Sequence, residues 1–304
     1  MKEYLEGYSI TTGTVRYNDL GYLLATDDAL IEQGVAHTRI ITIDQGDWGG
    51  DDLDWLASSA AVCHDPAERF IAVAQLGQTT WVAGGGQASE EPITTNSPRS
   101  IQSRGYIREI REIAGGKLYA AGTCRQLYRR DGPSNWTCLD IWQKDESDEI
   151  LDCSFESVDG YSDKEIYTVG WEGEIWLFNG SDWKQVESPT NVSLYKVLCA
   201  PDGNVYAAGN LGTLLRGRGD AWELIEHDET TDDIWGLAWF DDKLYLSTTS
   251  VLYELDDDQL KLVDFGDGEI PSTCYHLSAA NGILWSIGAK DVVQFDGSDW
   301  TRIY

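Results

Sequence analysis

Between residues 193 and 225 the chain passes through four short apolar stretches, each closed by Gly, Asp or Asn. The stretches are 193–198, 204–208, 213–216 and 221–225, and the breaks are Pro201-Asp202-Gly203, Asn210-Leu211-Gly212 and Gly217-Arg218-Gly219-Asp220. Short apolar runs between turn residues predict antiparallel strands. The second stretch, Val205-Tyr206-Ala207-Ala208-Gly209, recurs as Leu118-Tyr119-Ala120-Ala121-Gly122, Ile166-Tyr167-Thr168-Val169-Gly170 and Leu284-Trp285-Ser286-Ile287-Gly288. Its aromatic slot is filled by Tyr119, Tyr167, Tyr206, Tyr245 and Trp285, spaced by 48, 39, 39 and 40 residues. A turn followed by Trp136, Trp183, Trp222 or Trp300 closes four of these units, and Leu260 stands near that place in the fifth.

Four strands repeating at about 40 residues predict the blades of a β-propeller. Five units start near residues 107, 150, 194, 234 and 275. A sixth runs from 54 to 95, with Ile71 in the aromatic slot, and the first 46 residues hold a seventh. The expectation is all-β: one seven-bladed propeller domain over 1–304, with blades near 1–46, 54–97, 106–143, 148–188, 193–228, 233–266 and 273–304. Residues 107–113 space their Ile residues as a helix would, but the repeat register assigns them to an inner strand. Ring closure stays open between abutment of the first and last blades and donation of residues 4–10 to the last.

The six Cys form no CxxC pair and read as reduced packing residues. With no apolar leader after Met1 and no long apolar span, a cytoplasmic chain is expected. The Asn-x-Ser/Thr sites at Asn135, Asn179 and Asn191 are then turn chemistry. The 304 residues carry 52 Asp and Glu against 22 Lys and Arg, a formal charge of −30. That balance excludes nucleic-acid binding through phosphates, disfavours anionic membranes and favours a cationic partner.

The repeat predicts where the acid sits. Linkers from the fourth strand of one blade to the first of the next share a face with the second-to-third turns. Four segments, 44–54, 145–149, 226–233 and 264–269, read as such linkers and hold seventeen carboxylates. The candidate partner-binding residues are Asp44, Asp47, Trp48, Asp51, Asp52, Asp54 and Trp55 in the first segment. Asp145, Glu146, Asp148 and Glu149 come from the second. Glu226, Asp228, Glu229, Asp232, Asp233 and Trp235 come from the third, and Asp267 and Glu269 from the fourth. The aromatics beside the charge, Tyr195 and Tyr275 among them, would serve as anchors. Residues 86–105, polar and rich in Ser, read as a long loop.

No motif specifies catalysis. His37, His64, His227 and His276 form no metal-binding pattern, and no acidic segment follows the calcium-loop spacing. Gly84-Gly85-Gly86 lacks the Gly-Lys-Ser/Thr of a phosphate loop. Arg108 and Arg111 are inward-capable, with Glu109 and Glu112 beside them as partners. No cofactor or metal is expected.

Residues 165–187 and 204–225 resemble bacterial propellers of the BNR/Ycf48-like kind in the WD40/YVTN-like superfamily. The shared form is an apolar-Tyr-Ala-Val-Gly strand, a Gly turn, a strand ending in Asp/Asn-Gly, then Trp. The resemblance spans roughly 54–304, lacks WD, GH and intact Asp-box motifs, and implies the fold but not one function. The expected function is a non-catalytic propeller, monomeric when free, whose acidic face captures a basic protein domain. Its concrete form is an immunity protein that neutralises a secreted bacterial toxin such as a nuclease. An assembly scaffold of the Ycf48-like kind, or a carbohydrate hydrolase or lyase at the channel mouth, remains open.

Overall fold

The computed structural model describes residues 2–97, 99–141 and 153–304. Its strands form the seven sheets of a seven-bladed β-propeller. In chain order these are β1–β4 (Tyr8–Tyr17, Leu20–Asp27, Thr38–Asp44, Asp47–Leu53) and β5–β8 (Ala57–Cys63, Arg69–Ala74, Thr79–Gly84, Gln87–Pro92). The third sheet holds β10–β13 (Ile107–Ile113, Lys117–Gly122, Gln126–Gly132, Asn135–Cys138), joined by β9 (Thr94–Thr95), which pairs parallel with β13. Next come β14–β17 (Phe155–Ser162, Glu165–Gly170, Ile175–Phe178, Trp183–Val186) and β18–β21 (Leu194–Cys199, Val205–Gly209, Leu214–Arg218, Ala221–Leu224). The last two are β22–β25 (Gly236–Phe240, Lys243–Ser247, Leu252–Asp256, Gln259–Leu262) and β26–β29 (His276–Ala280, Ile283–Ile287, Val292–Phe295, Trp300–Arg302). The chain divides into two compact units, residues 1–57 with 226–304, and residues 58–225.

The repeated aromatics explain themselves. Tyr119, Tyr167, Tyr206, Tyr245 and Trp285 all lie on the second strand of their blade and are buried, as is Ile71 on β6. The spacing therefore records one packing position per blade. Residues 107–113 form the inner strand β10, as the register requires.

Two fourth strands fall where linkers are expected. Residues 44–54 are not a linker: they are the tip of a hairpin and the outer strand β4. Gln45 and Gly46 both take positive φ (52° and 85°), the two-residue turn that joins twisted strands, and Asp44 pairs with Asp47 across it. Residues 87–92 likewise form β8 after the positive-φ pair Gly85-Gly86, so the 86–105 segment is a loop only beyond it.

Within the first unit, ring closure is abutment. The sheet β26–β29 takes all four strands from the C-terminal segment, and β1 is the inner strand of its own sheet. The Val15 amide donates to Ser278 Oγ (3.0 Å) and the Ile10 amide to the Ala289 carbonyl (2.9 Å). Lys290 Nζ reaches Asp28 and the Tyr8 carbonyl, each at 2.8 Å. Gly21 lies against the Trp285 ring, where an added Cβ would come within 2.3 Å.

Within the second unit, inner strands are joined by the same device as at this seam. Ser59 Oγ accepts from the Ile110 amide (3.1 Å), Glu109 from Val158 (3.0 Å) and Ser157 Oγ from Val197 (3.0 Å). Each bond satisfies a backbone donor that its own sheet leaves unpaired.

Candidate partner-binding surface

In the first unit two acidic linkers are held by their apolar residues. Ile234 is fully buried at the end of 226–233, and the following Trp235 donates its amide to Ser247 (2.8 Å). Trp235 and Tyr275 lie against each other with ring centroids 5.3 Å apart. Glu226, Asp228, Glu229 and Asp232 are exposed, Asp233 is half-buried, and Thr230 Oγ1 accepts from the Asp232 amide (3.0 Å). In the other linker Phe265 packs on Trp300 (5.0 Å), Asp264 accepts from the Gly266 amide (2.9 Å), and the Glu269 amide donates to Trp300 (3.0 Å). Asp267 and Glu269 face solvent, and Ile270 beside them is 65% exposed.

Among the described residues, most carboxylates of these linkers lack the ion pairs that hold some carboxylates elsewhere: Asp52 with Arg39 (2.7 Å), Asp131 with Arg129 (2.7 Å), Glu165 with Arg218 (2.8 Å) and Glu254 with Lys243 (3.1 Å). Hydrogen bonds from Arg39 and Arg218 hold the Asp52 and Glu165 carboxyls below their ordinary range. Among the described residues Glu226, Asp228, Glu229, Asp232 and Asp267 carry no such basic partner, whereas Glu269 meets Arg302 at 3.3 Å.

The remaining candidates separate. Asp44 and Asp47 sit at a third-to-fourth turn, which a propeller presents on the face opposite its linkers. Asp51 and Asp52 lie on β4, with Asp52 also 3.3 Å from His37. Asp54 is exposed, but Trp55 is buried and its carbonyl accepts from Thr38 Oγ1 (2.9 Å). Trp48 lies between Tyr4 (6.2 Å) and Tyr304 (6.4 Å), packed on the first unit's core. Asp145, Glu146, Asp148 and Glu149 lie outside the described residues.

In the second unit the inward charges pair between blades, not along one strand. Successive residues of a strand point to opposite faces, so Arg108 and Arg111 reach Glu156 (3.4 Å) and Asp159 (3.1 Å), while Glu112 holds His64 (2.8 Å). Glu109 accepts from Ser157 Oγ (2.6 Å) and Lys196 Nζ. Burial opposes its ionisation, but the Lys196 and Arg111 charges prevail and its carboxyl titrates low.

This unit also contains a polar pocket of about 420 Å³ that the sequence reading did not single out. Its wall includes Arg125, Trp171, Glu172, Glu174 and Glu187. Glu174 accepts from Arg125 (2.6 Å) and from the Trp176 indole (2.9 Å), and burial nonetheless pushes its carboxyl up. The legible signal was a departure from the repeat: Trp171-Glu172-Gly173 stands where other blades carry Asn210-Leu211-Gly212 and Gln75-Leu76-Gly77.

The inner charges of the second unit are paired, the repeated aromatics fill the blade cores, and the acidic linkers of the first unit stay exposed. The chain belongs to the family of the immune protein Tsi7 of Pseudomonas aeruginosa, to which it is 44% identical over 301 residues, 97% of each chain. It is an immunity propeller and not an enzyme. No family model matches the chain. Among solved structures, "YCF48 bound to D1 peptide" superposes with a TM-score of 0.67 at 16% identity, covering 95% of this chain and 91% of that one. The WD40 propeller domain of Doa1 gives 0.64 at 10% identity, covering 95% and 96%. At such identities the likeness concerns the fold alone.

Proposed function

We propose that this immunity propeller neutralises a toxin whose contacting domain is basic, and that the linkers 226–233 and 264–269 of the first unit receive it. The observation that carries this reading is the clustering in two linkers of exposed carboxylates with no basic partner among the described residues: Glu226, Asp228, Glu229, Asp232 and Asp267. Unmatched, exposed charge gains most from a cationic partner, because no existing ion pair must break. Trp235 and Tyr275 supply stacked aromatic surface beside the charge, and Ile270 an exposed apolar contact. The bound toxin is inactivated by steric occlusion of the face it would use on an acidic substrate. The free chain acts as a monomer in the cytoplasm, where its six free cysteines stay reduced.

The test is binding to a toxin domain whose reading frame adjoins that of this chain. Purified partners are measured by calorimetry at low and at high salt. Affinity that falls steeply with salt supports the reading. Tight binding indifferent to salt would leave an immunity protein whose acidic linkers do no work in recognition.

A further inference from the structure

The turn between β15 and β16 is built to hold two side chains at a pocket rim. Glu172 adopts φ +54°, a left-handed conformation that a non-glycine residue enters at a cost of about 1 kcal/mol. Gly173 follows at φ +74°, and a Cβ there would lie 2.3 Å from the Thr190 carbonyl oxygen. The backbone is therefore fixed by close contact, with Glu172 exposed and Trp171 half-buried at the opening. Three carboxylates, Glu172, Glu174 and Glu187, share the pocket with the Arg125 guanidinium, which Glu174 already engages. The Glu174 side chain is 6% exposed, and its Oε1 lies against the Ser154 and Gly170 backbone. The pocket thus combines excess negative charge with an indole at its opening.

We propose that this pocket is a socket for an arginine side chain of the bound toxin domain. The proposal rests on the reading above that the partner is a basic toxin. A guanidinium matches the site better than an ammonium does. Its planar fork suits the Glu172 and Glu187 carboxylates, and its face stacks on the Trp171 indole. The volume falls within the range of about 300–1,000 Å³ that admits small ligands, so a whole side chain enters. Arginine anchors in desolvated pockets are where interface energy concentrates.

Two measurements test this on the full chain. In the first, the indole N–H resonance of Trp171, assigned with Trp171→Phe, is followed during titration with N-acetyl-arginine amide. A saturable shift is expected, with the uncharged citrulline analogue at least about tenfold weaker. Equal response to both, or none, overturns the socket. In the second, the Glu172→Gln/Glu187→Gln variant, both of whose sites are exposed, is bound to the toxin domain after its Tm is shown to be unchanged. A loss of affinity of about tenfold to a hundredfold is expected. If wild type binds toxin and the variant binds as tightly, the socket is overturned while the immunity reading stands. If wild type binds no toxin domain, that reading fails and takes the toxin assignment with it, and the titration separately scores guanidinium binding.

Discussion

Glu109 and Lys196 stand 87 positions apart in sequence, yet their side chains meet across the inner strand of the blade between them. Both are about nine-tenths buried, and Ser157 on the intervening β14 donates to the same carboxylate. Three consecutive blades are thereby tied by one ion pair and one hydroxyl. Glu109→Gln leaves the Lys196 ammonium buried without its anion, at an expected cost of about 3–5 kcal/mol. Glu109→Gln/Lys196→Met removes both charges and is expected to cost less than the sum of the single changes. Urea denaturation of the four proteins measures this coupling. Additive effects would mean that the pair does not hold the blades together.

Asp291 gives the pH dependence a definite sign. Burial opposes its ionisation, but the amides and hydroxyls of Ser272 and Thr273 together with Arg302 outweigh that and lower its pKa. A depressed folded pKa stabilises fully above the unfolded value of about 3.9 and loses that contribution as the pH falls through the folded value. Asp291→Asn should therefore cost about 2 kcal/mol at neutral pH. The difference from wild type should shrink below about pH 4. Chemical denaturation of both proteins at neutral pH and near pH 3 checks the sign. A gap that widens in acid would contradict it.

Charge reversal on one linker separates recognition from folding. Asp228→Lys/Glu229→Lys/Asp232→Lys changes exposed side chains that carry no ion pair among the described residues. Thermal stability should stay close to wild type. The association rate with the toxin domain should drop at least about tenfold at low salt, and the difference should fade near about 1 M salt. Stopped-flow mixing at two ionic strengths supplies both readings.

Trp48→Ala addresses an aromatic that the sequence alone groups with the acidic anchors. Its contacts with Tyr4 and Tyr304 make it part of the seam. Removing a half-buried ring there should cost about 2 kcal/mol of stability. Toxin affinity at a temperature where the variant remains folded should not change. Comparison of its Tm and its calorimetric affinity with those of wild type decides the matter.

Why some elements were legible and others were not follows from burial. The second strands carry Tyr119, Tyr167, Tyr206, Tyr245 and Trp285 in the core, so selection for packing left a period to read. The outer strands β4 and β8 carry Asp-Trp-Gly-Gly-Asp-Asp-Leu and Gln-Ala-Ser-Glu-Glu-Pro, mostly exposed, and no alternation marks them. Only their turns mark them: Gln45-Gly46 and Gly85-Gly86 both carry the positive φ of two-residue hairpin turns. In the surface itself, 226–233 and 264–269 were readable because a blade must be connected to the next. The Glu109–Lys196 pairing and the Trp171 pocket were not, since each depends on which blades become neighbours.

The seam has a consequence for how the ring can be cut. Tyr4, Trp48 and Tyr304 gather in one aromatic cluster, so the two ends of the described chain lie side by side. A short linker can fuse them, and new ends can be opened at an exposed turn such as Asp202-Gly203. The circular permutant keeps all the described strands and closes the β18–β21 blade with strands from both new ends. Fluorophores or capture tags can then be placed at the new ends, on the β18–β19 turn and away in sequence from both acidic linkers.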